Sequence, residues 1–230
     1  MYLGPVDLVL WASMPYVVIS VFVLGHIYRY ATDQRGWTSG STEFLEKRWL
    51  RFGSQLFMWG ILVVALGHLI GLLMPPYVTQ ALGVSSAEYH ESAVALGGIA
   101  GSVSYAGAWI LLLRRLLVPR VRSASSAGEV LILALIIATM SLGLYNTLIY
   151  SALFGPYHYR LTIGAWIRSI LAFQPNPAYM AGVPATFQLH IALAYAVFLA
   201  WPFSDLVHMW SFPAFYIGRP WILYRRMDGR

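Results

Sequence analysis

The chain is 230 residues long, 59% hydrophobic and only 10% charged, with a mean hydropathy of +0.64, whereas a soluble domain carries about 25% charge. That composition excludes a soluble single domain. The chain contains no cysteine, which excludes disulfides, thiolate-bound zinc, iron–sulfur clusters held by this chain and thioether-linked haem, so a redox centre here has to rest on histidine or methionine. The net charge of +6 falls in blocks between long uncharged runs, which is the pattern of a membrane protein and not of a nucleic-acid binder.

A bilayer core of about 30 Å is crossed by about 20 apolar residues in helical form. Five stretches of that length, apolar and almost free of charge, predict spans over about 8–28, 52–74, 89–113, 129–150 and 184–210. The first ends at Arg29. The second lies between Arg51 and the stop at Pro75-Pro76, and the third opens on the capping-box pattern Ser85-x-x-Glu88 and closes at Arg114-Arg115. The fourth starts near Glu129, and the fifth starts at Pro184, a good first-turn residue. Only helices and closed barrels satisfy every backbone polar group in lipid, and runs this long are not the alternating strands of a barrel. The predicted fold class is therefore all-α, an integral membrane bundle of five helices in a single domain over 1–230.

Of the 15 Lys and Arg, 13 lie at Arg29 to Arg51, Arg114 to Arg122 and Arg219 to Arg230, with Arg160 and Arg168 alone on the opposite side. The positive-inside rule then predicts an N-terminus outside and a C-terminus in the cytoplasm. The first cation is Arg29, so span one lacks the basic start of a signal peptide and is expected to be retained. Between spans four and five, Ile163, Trp166, Ile167, Ile170 and Leu171 follow an i, i+3, i+4, i+7, i+8 stripe, which predicts an amphipathic helix over about 161–173 lying on the outer surface. No repeat and no soluble domain is present, so any chemistry at the cytoplasmic face calls for a partner chain.

Ionisable side chains inside spans are costly and mark function by default. Four histidines occupy them, His26, His68, His190 and His208. One such residue is readily a packing histidine; four together point to a cofactor. On a continuous helix His190 and His208, 18 residues apart, would share one face about 27 Å apart. His68 on span two is placed to meet His190 and clamp a b-type haem between two imidazoles. Met58, ten residues before His68, is a competent haem ligand opposite His208, although its rise of about 15 Å does not match the 27 Å on span five; a kink at Pro202 would absorb part of the difference.

The segments RFGSQLFMWGILVVALGHLIGLLMPP, LLLRRLLVPRVRS and FQLHIALAYAVFLAWPFSDLVHMWSFP resemble the gamma, cytochrome b, subunit of membrane-bound respiratory nitrate reductase over nearly the whole chain. The resemblance implies two b haems between spans two and five and quinol oxidation near the outer haem. It also implies electron flow inward to an iron–sulfur beta subunit and a molybdenum alpha subunit at the cytoplasmic face of a prokaryotic inner membrane. It assigns His68 and His190 to the outer haem and His208 to the inner one. The family's second inner histidine is matched by Met58, so the inner ligand is this thioether or His26 from span one, or the inner haem is five-coordinate or absent.

Quinol oxidation requires a hydrogen-bond acceptor near the outer haem, and Tyr89 and His90, at the start of span three, are candidates. His158 in the outer loop carries no motif. Arg114, Arg115, Arg120 and Arg122 suit haem propionates or a partner's acidic surface as well as topological anchoring. Gly97, Gly98, Gly101, Ser102 and Gly107 would admit a close-packed helix or a haem plane. Two further readings are an anchor for a different iron–sulfur or molybdenum oxidoreductase and a proton-coupled transporter with a histidine relay, the latter weakened by the lack of an inverted repeat and the scarcity of intramembrane carboxylates, Asp205 being near the inner interface.

Overall fold

The computed structural model describes residues 4–33, 37 and 42–211; the basic stretch Arg219 to Arg230, used above to orient the chain, lies outside them. Among the described residues there is no strand. Five helices are long and apolar enough to cross a membrane: α1 (Pro5–Thr32), α2 (Arg48–Leu73), α3 (Ser86–Leu117), α4 (Ala127–Phe154) and a fifth over Ala185–Phe203. Within the fifth, the α-helical part is Ala185–Ala200, here α6, and the amphipathic segment Ile163–Leu171 is α5. The apolar runs set these spans, and the start of α3 is fixed as its capping box predicts. Ser85 Oγ accepts from the Glu88 N–H at 3.2 Å, and the Glu88 carboxylate accepts from the Ser85 N–H at 2.8 Å.

Helices in lipid lack a hydrophobic drive to associate, so close backbone approach carries the packing. A Cβ at Gly60 of α2 would lie 2.7 Å from both the Ala100 carbonyl and Ser104 Cβ of α3, and one at Gly107 of α3 would lie 2.4 Å from the Phe57 nitrogen of α2. These two helices therefore touch through main chain. Gly98 and Gly101 face Leu148 and Leu144 of α4, whereas Gly97 has only Thr147 near, at 3.9 Å. Ser102 is exposed. The small-residue stripe of α3 thus seats α2 and α4.

The fifth span departs from the continuous helix expected over 184–210. It stops being α-helical at Ala200, passes through a 3₁₀ turn at Trp201–Phe203, turns extended at Ser204 (φ −121°, ψ 176°), and resumes as 3₁₀ over Asp205–Ser211. Pro202 lacks an N–H and its ring clashes with a preceding carbonyl, so the helix breaks there. The freed carbonyls of Pro202 and Ser204 accept from Arg29 Nη1 of α1 at 2.9 and 2.8 Å. Gly25 makes room for this wedge, since a Cβ there would meet Pro202 at 2.8 Å. His190 and His208 consequently do not share one helix, and the 27 Å separation does not apply.

The amphipathic helix is present, but its stripe faces protein. Ile163, Trp166 and Ile170 are buried in a cluster with Trp11, Met180 and Val183, and only Leu171 of the stripe is well exposed. Trp166 meets Trp11 edge-on at 5.7 Å and donates from Nε1 to the Trp11 carbonyl at 2.7 Å. Trp11 lies in a π-helical turn, Val9–Ser13, the kind of irregularity that leaves a main-chain acceptor for such a bond. Burying Trp166 contributes on the order of 2–3 kcal/mol, enough to hold this nine-residue helix against the ends of α1 and α6.

Candidate haem-binding site

His68 of α2 and His190 of α6 stand with ring centroids 6.3 Å apart and planes 25° from parallel. His68 Nδ1 lies 2.8 Å from the Val64 carbonyl and His190 Nδ1 lies 2.9 Å from the Thr139 carbonyl of α4. A carbonyl only accepts, so in each ring Nδ1 carries the proton and Nε2 keeps its lone pair. Gly143 of α4 allows the approach, because a Cβ there would lie 3.1 Å from His190 Cε1. Two nitrogen ligands on one metal at about 2.0 Å each put imidazole centres about 6 Å apart, and this is the separation found. No group of three or more His, Asp or Glu that could hold a bare ion exists among the described residues. A haem needs only two axial ligands from the protein, and the pair fits it.

Met58 is partly exposed on α2, ten residues along from His68, and His208 is exposed on the segment Asp205–Ser211. His208 Nδ1 donates to the Asp205 carbonyl, which again leaves Nε2 free. His26 is different. Its Nδ1 donates to the Phe22 carbonyl at 2.6 Å, and its Nε2 accepts from Trp210 Nε1 at 3.0 Å, so both ring nitrogens are engaged. Sequence reasoning missed this role of Trp210, because residues 184 positions apart carry no spacing signal.

Beyond His68, the end of α2 is closed by two arginines. Arg168 of α5 donates to the Leu72 carbonyl at 2.9 Å and to the Arg160 carbonyl at 3.1 Å. Arg160, 6% exposed, donates to Thr79 Oγ1 and the Met74 carbonyl, both at 3.1 Å. Its guanidinium covers the Tyr89 ring at 3.9 Å. Burial pushes the Tyr159 phenol well above its ordinary range, and the Tyr89 and Tyr159 hydroxyls both crowd the face of Gly71, one turn along from His68. His90 is half-buried and His158 exposed. The sequence had set Arg160 and Arg168 apart only as exceptions to the charge rule.

A second polar feature adjoins His190. Asn146, buried in the π-helical stretch Tyr145–Tyr150 of α4, donates from Nδ2 to the Thr186 carbonyl at 3.3 Å. Its Oδ1 and the Thr186 hydroxyl have no partner. Thr186 precedes His190 by about one turn.

At the opposite end, Arg114 is 1% exposed and its guanidinium is spent on the segment before α2. Nε pairs with Glu46 at 2.8 Å, Nη1 donates to Thr42 Oγ1 at 2.9 Å, and Nη2 donates to the Thr42 and Glu46 carbonyls at 2.9 and 2.7 Å. Burial pushes the Glu46 carboxyl up, but bonds from the Trp49 and Leu50 N–H groups and from Arg114 outweigh it and hold the group below its ordinary range. Arg115 is paired with Glu129 and donates to Ser125. Both arginines tie helix ends together.

Residues 7–227 match the family model described as nitrate reductase gamma subunit. The chain is 43% identical to the nitrate reductase gamma chain of Bacillus subtilis, over 95% of this chain and 97% of that one. It is 33% identical to the respiratory nitrate reductase 1 gamma chain of Escherichia coli, over 92% and 93%. A nitrate reductase-like protein NarX of Mycobacterium tuberculosis is 39% identical over 95% of this chain and 34% of its own length.

Proposed function

The chain belongs to the nitrate reductase gamma subunit family, a multi-pass membrane component of an oxidoreductase complex, and we propose that it serves there as a dihaem cytochrome b. In this reading it oxidises quinol near the outer face of a prokaryotic cytoplasmic membrane. It passes electrons inward to an iron–sulfur beta subunit and on to a molybdenum alpha subunit, where nitrate is reduced. The N-terminus is outside and the C-terminus in the cytoplasm. With no cysteine in the chain, iron–sulfur clusters belong to the partner subunits.

The observation that carries the proposal is the His68–His190 pair, with its 6.3 Å separation and both Nδ1 groups held by main-chain carbonyls. A haem bound there supplies reversible one-electron transfer. The carbonyl of Val64 fixes the His68 ring from its own helix, while the Thr139 carbonyl fixes His190 from α4, so three helices set one ligand geometry. For the inner haem, His208 has a free Nε2 and Met58 a free thioether, whereas the Nε2 of His26 is occupied by Trp210. This favours Met58 as the sixth ligand.

Tyr89 and His90 take the quinol role, binding its hydroxyl and accepting its proton at the end of α3 nearest His68. Arg114 and Arg115 are helix-end fasteners in this reading, and not propionate ligands. Replacing His190 by Ala in the assembled complex abolishes quinol-driven nitrate reduction and the outer-haem spectrum, while a dye feeding the partner directly still supports turnover. If quinol-driven activity survives with one haem lost, His190 is misassigned.

A further inference from the structure

Among the described residues, Arg160 and Arg168 are two cations that meet no carboxylate. Ion pairs join Lys47 to Glu43, Arg114 to Glu46 and Arg115 to Glu129 at the other end of the bundle. Arg160 is nine-tenths buried, and its Nε meets no acceptor at all. Burial and the neighbouring Arg160 charge both work against the charge on Arg168, yet a guanidinium does not give up its proton in a protein. What these arginines do touch is neutral: the carbonyls of Leu72, Met74 and residue 160 itself, the Thr79 hydroxyl and the Tyr89 ring.

Capping the end of α2 accounts for the hydrogen bonds but not for the charge. A helix C-terminus carries about half a negative charge, so two guanidiniums leave more than one positive unit over. A neutral amide would cap the same carbonyls. Leu72 and Met74 are four and six residues beyond His68, roughly 6–9 Å along the helix, in a protein and lipid medium where ionic screening is weak.

We infer that Arg160 and Arg168 form an uncompensated cationic pair that raises the reduction potential of the haem held by His68 and His190, an assignment that rests on the haem reading above. Reduction from ferric to ferrous iron adds one electron and removes one positive unit, so a fixed cation nearby favours the reduced form. The electron comes from the quinol, which gives up two electrons and two protons in becoming quinone. The pair is thus a positioning device for electrons, setting how readily the first acceptor takes them.

Redox titration of the membrane-bound complex, followed in the haem absorption bands, tests this with Arg160→Gln, Arg168→Gln and Arg160→Lys. A unit charge about 10 Å away in a medium of effective dielectric about 20 biases the equilibrium roughly tenfold, or about 59 mV for a one-electron couple. Each glutamine variant lowers the midpoint of the outer haem by about that amount and leaves the inner one unmoved, while Arg160→Lys, which keeps the charge, leaves both in place. Arg168, less buried than Arg160, provides the charge deletion that assembles should Arg160→Gln not. Unshifted midpoints in the glutamine variants overturn the inference, as does a lysine variant that shifts as far as glutamine, which would mark a purely structural cap. A complex that shows no haem bands in any form overturns the haem reading itself.

Discussion

Gly107 and Gly97 lie ten residues apart on α3, and alanine at each makes opposite demands on the bundle. At Gly107 the new Cβ would sit 2.4 Å from the Phe57 nitrogen and 2.8 Å from the Gly53 carbonyl. Both obstacles are backbone, which no rotamer change can move. Restoring an ordinary separation of about 3.5 Å requires α2 and α3 to part by about 1 Å. Overpacking of this kind costs about 1–3 kcal/mol, against about 1 kcal/mol gained from alanine's better helix propensity. At Gly97 the nearest atom would be Thr147 Cγ2 at 3.9 Å, an ordinary contact, so only the propensity gain remains. Thermal unfolding in detergent, followed by far-UV circular dichroism and by loss of haem absorbance, should rank Gly97→Ala at or above the unaltered protein and Gly107→Ala below it. On the haem reading proposed above, Gly107→Ala should also release haem at a lower temperature, because α2 carries His68. An equal or greater stability for Gly107→Ala would refute the claim that α2 and α3 touch through main chain.

If Met58 ligates an inner haem as proposed, Met58→His should lower its potential, since imidazole stabilises ferric iron better than a thioether does, and His26→Ala should leave it where it was; redox titration with magnetic circular dichroism distinguishes the two ligands. Glu46→Gln should lower the melting temperature at neutral pH. The folded Glu46 carboxyl ionises below its ordinary range, so its contribution is fully present above an unfolded value of about 4.3. That contribution fades as pH falls through the folded value, and the gap between the two melting curves should therefore close in acid and persist from pH 6 to 8.

Long uncharged runs and helix-end signals made the spans legible, because lipid imposes a length and a polarity that composition records directly. The Ser85–Glu88 capping box and the Ile163, Trp166, Ile170 stripe were readable for the same reason, each being a local pattern with a local cause. Pro202 signalled a kink, but not that the α-helix would end at Ala200, since apolar residues up to Trp210 continue the hydropathy of a span. Nor did the stripe on α5 reveal that Trp11 and Met180, and not lipid, would cover it. His68 and His190 were paired from spacing and resemblance, but the carbonyls that orient them come from Val64 and, across the bundle, Thr139. Arg160, Arg168 and Tyr159 gather at the end of α2 only once the loop before α5 has folded back, a contact over 80 or more residues that no periodicity reports.

The rupture of the fifth span divides the chain's two ends mechanically. His190 stands on uninterrupted α-helix and inherits the stiffness of α4 and α6. His208 rides on a short arm whose attachment is the Arg29 guanidinium and the Gly25 notch of α1, with Trp210 leaning on His26 of the same helix. The arm thus has a second anchor on α1 besides its continuation from α6, where Phe198 stacks on Trp201. If the chain works as proposed, a subunit docking on that arm would leave in place the Val64 and Thr139 carbonyls that orient the His68–His190 pair.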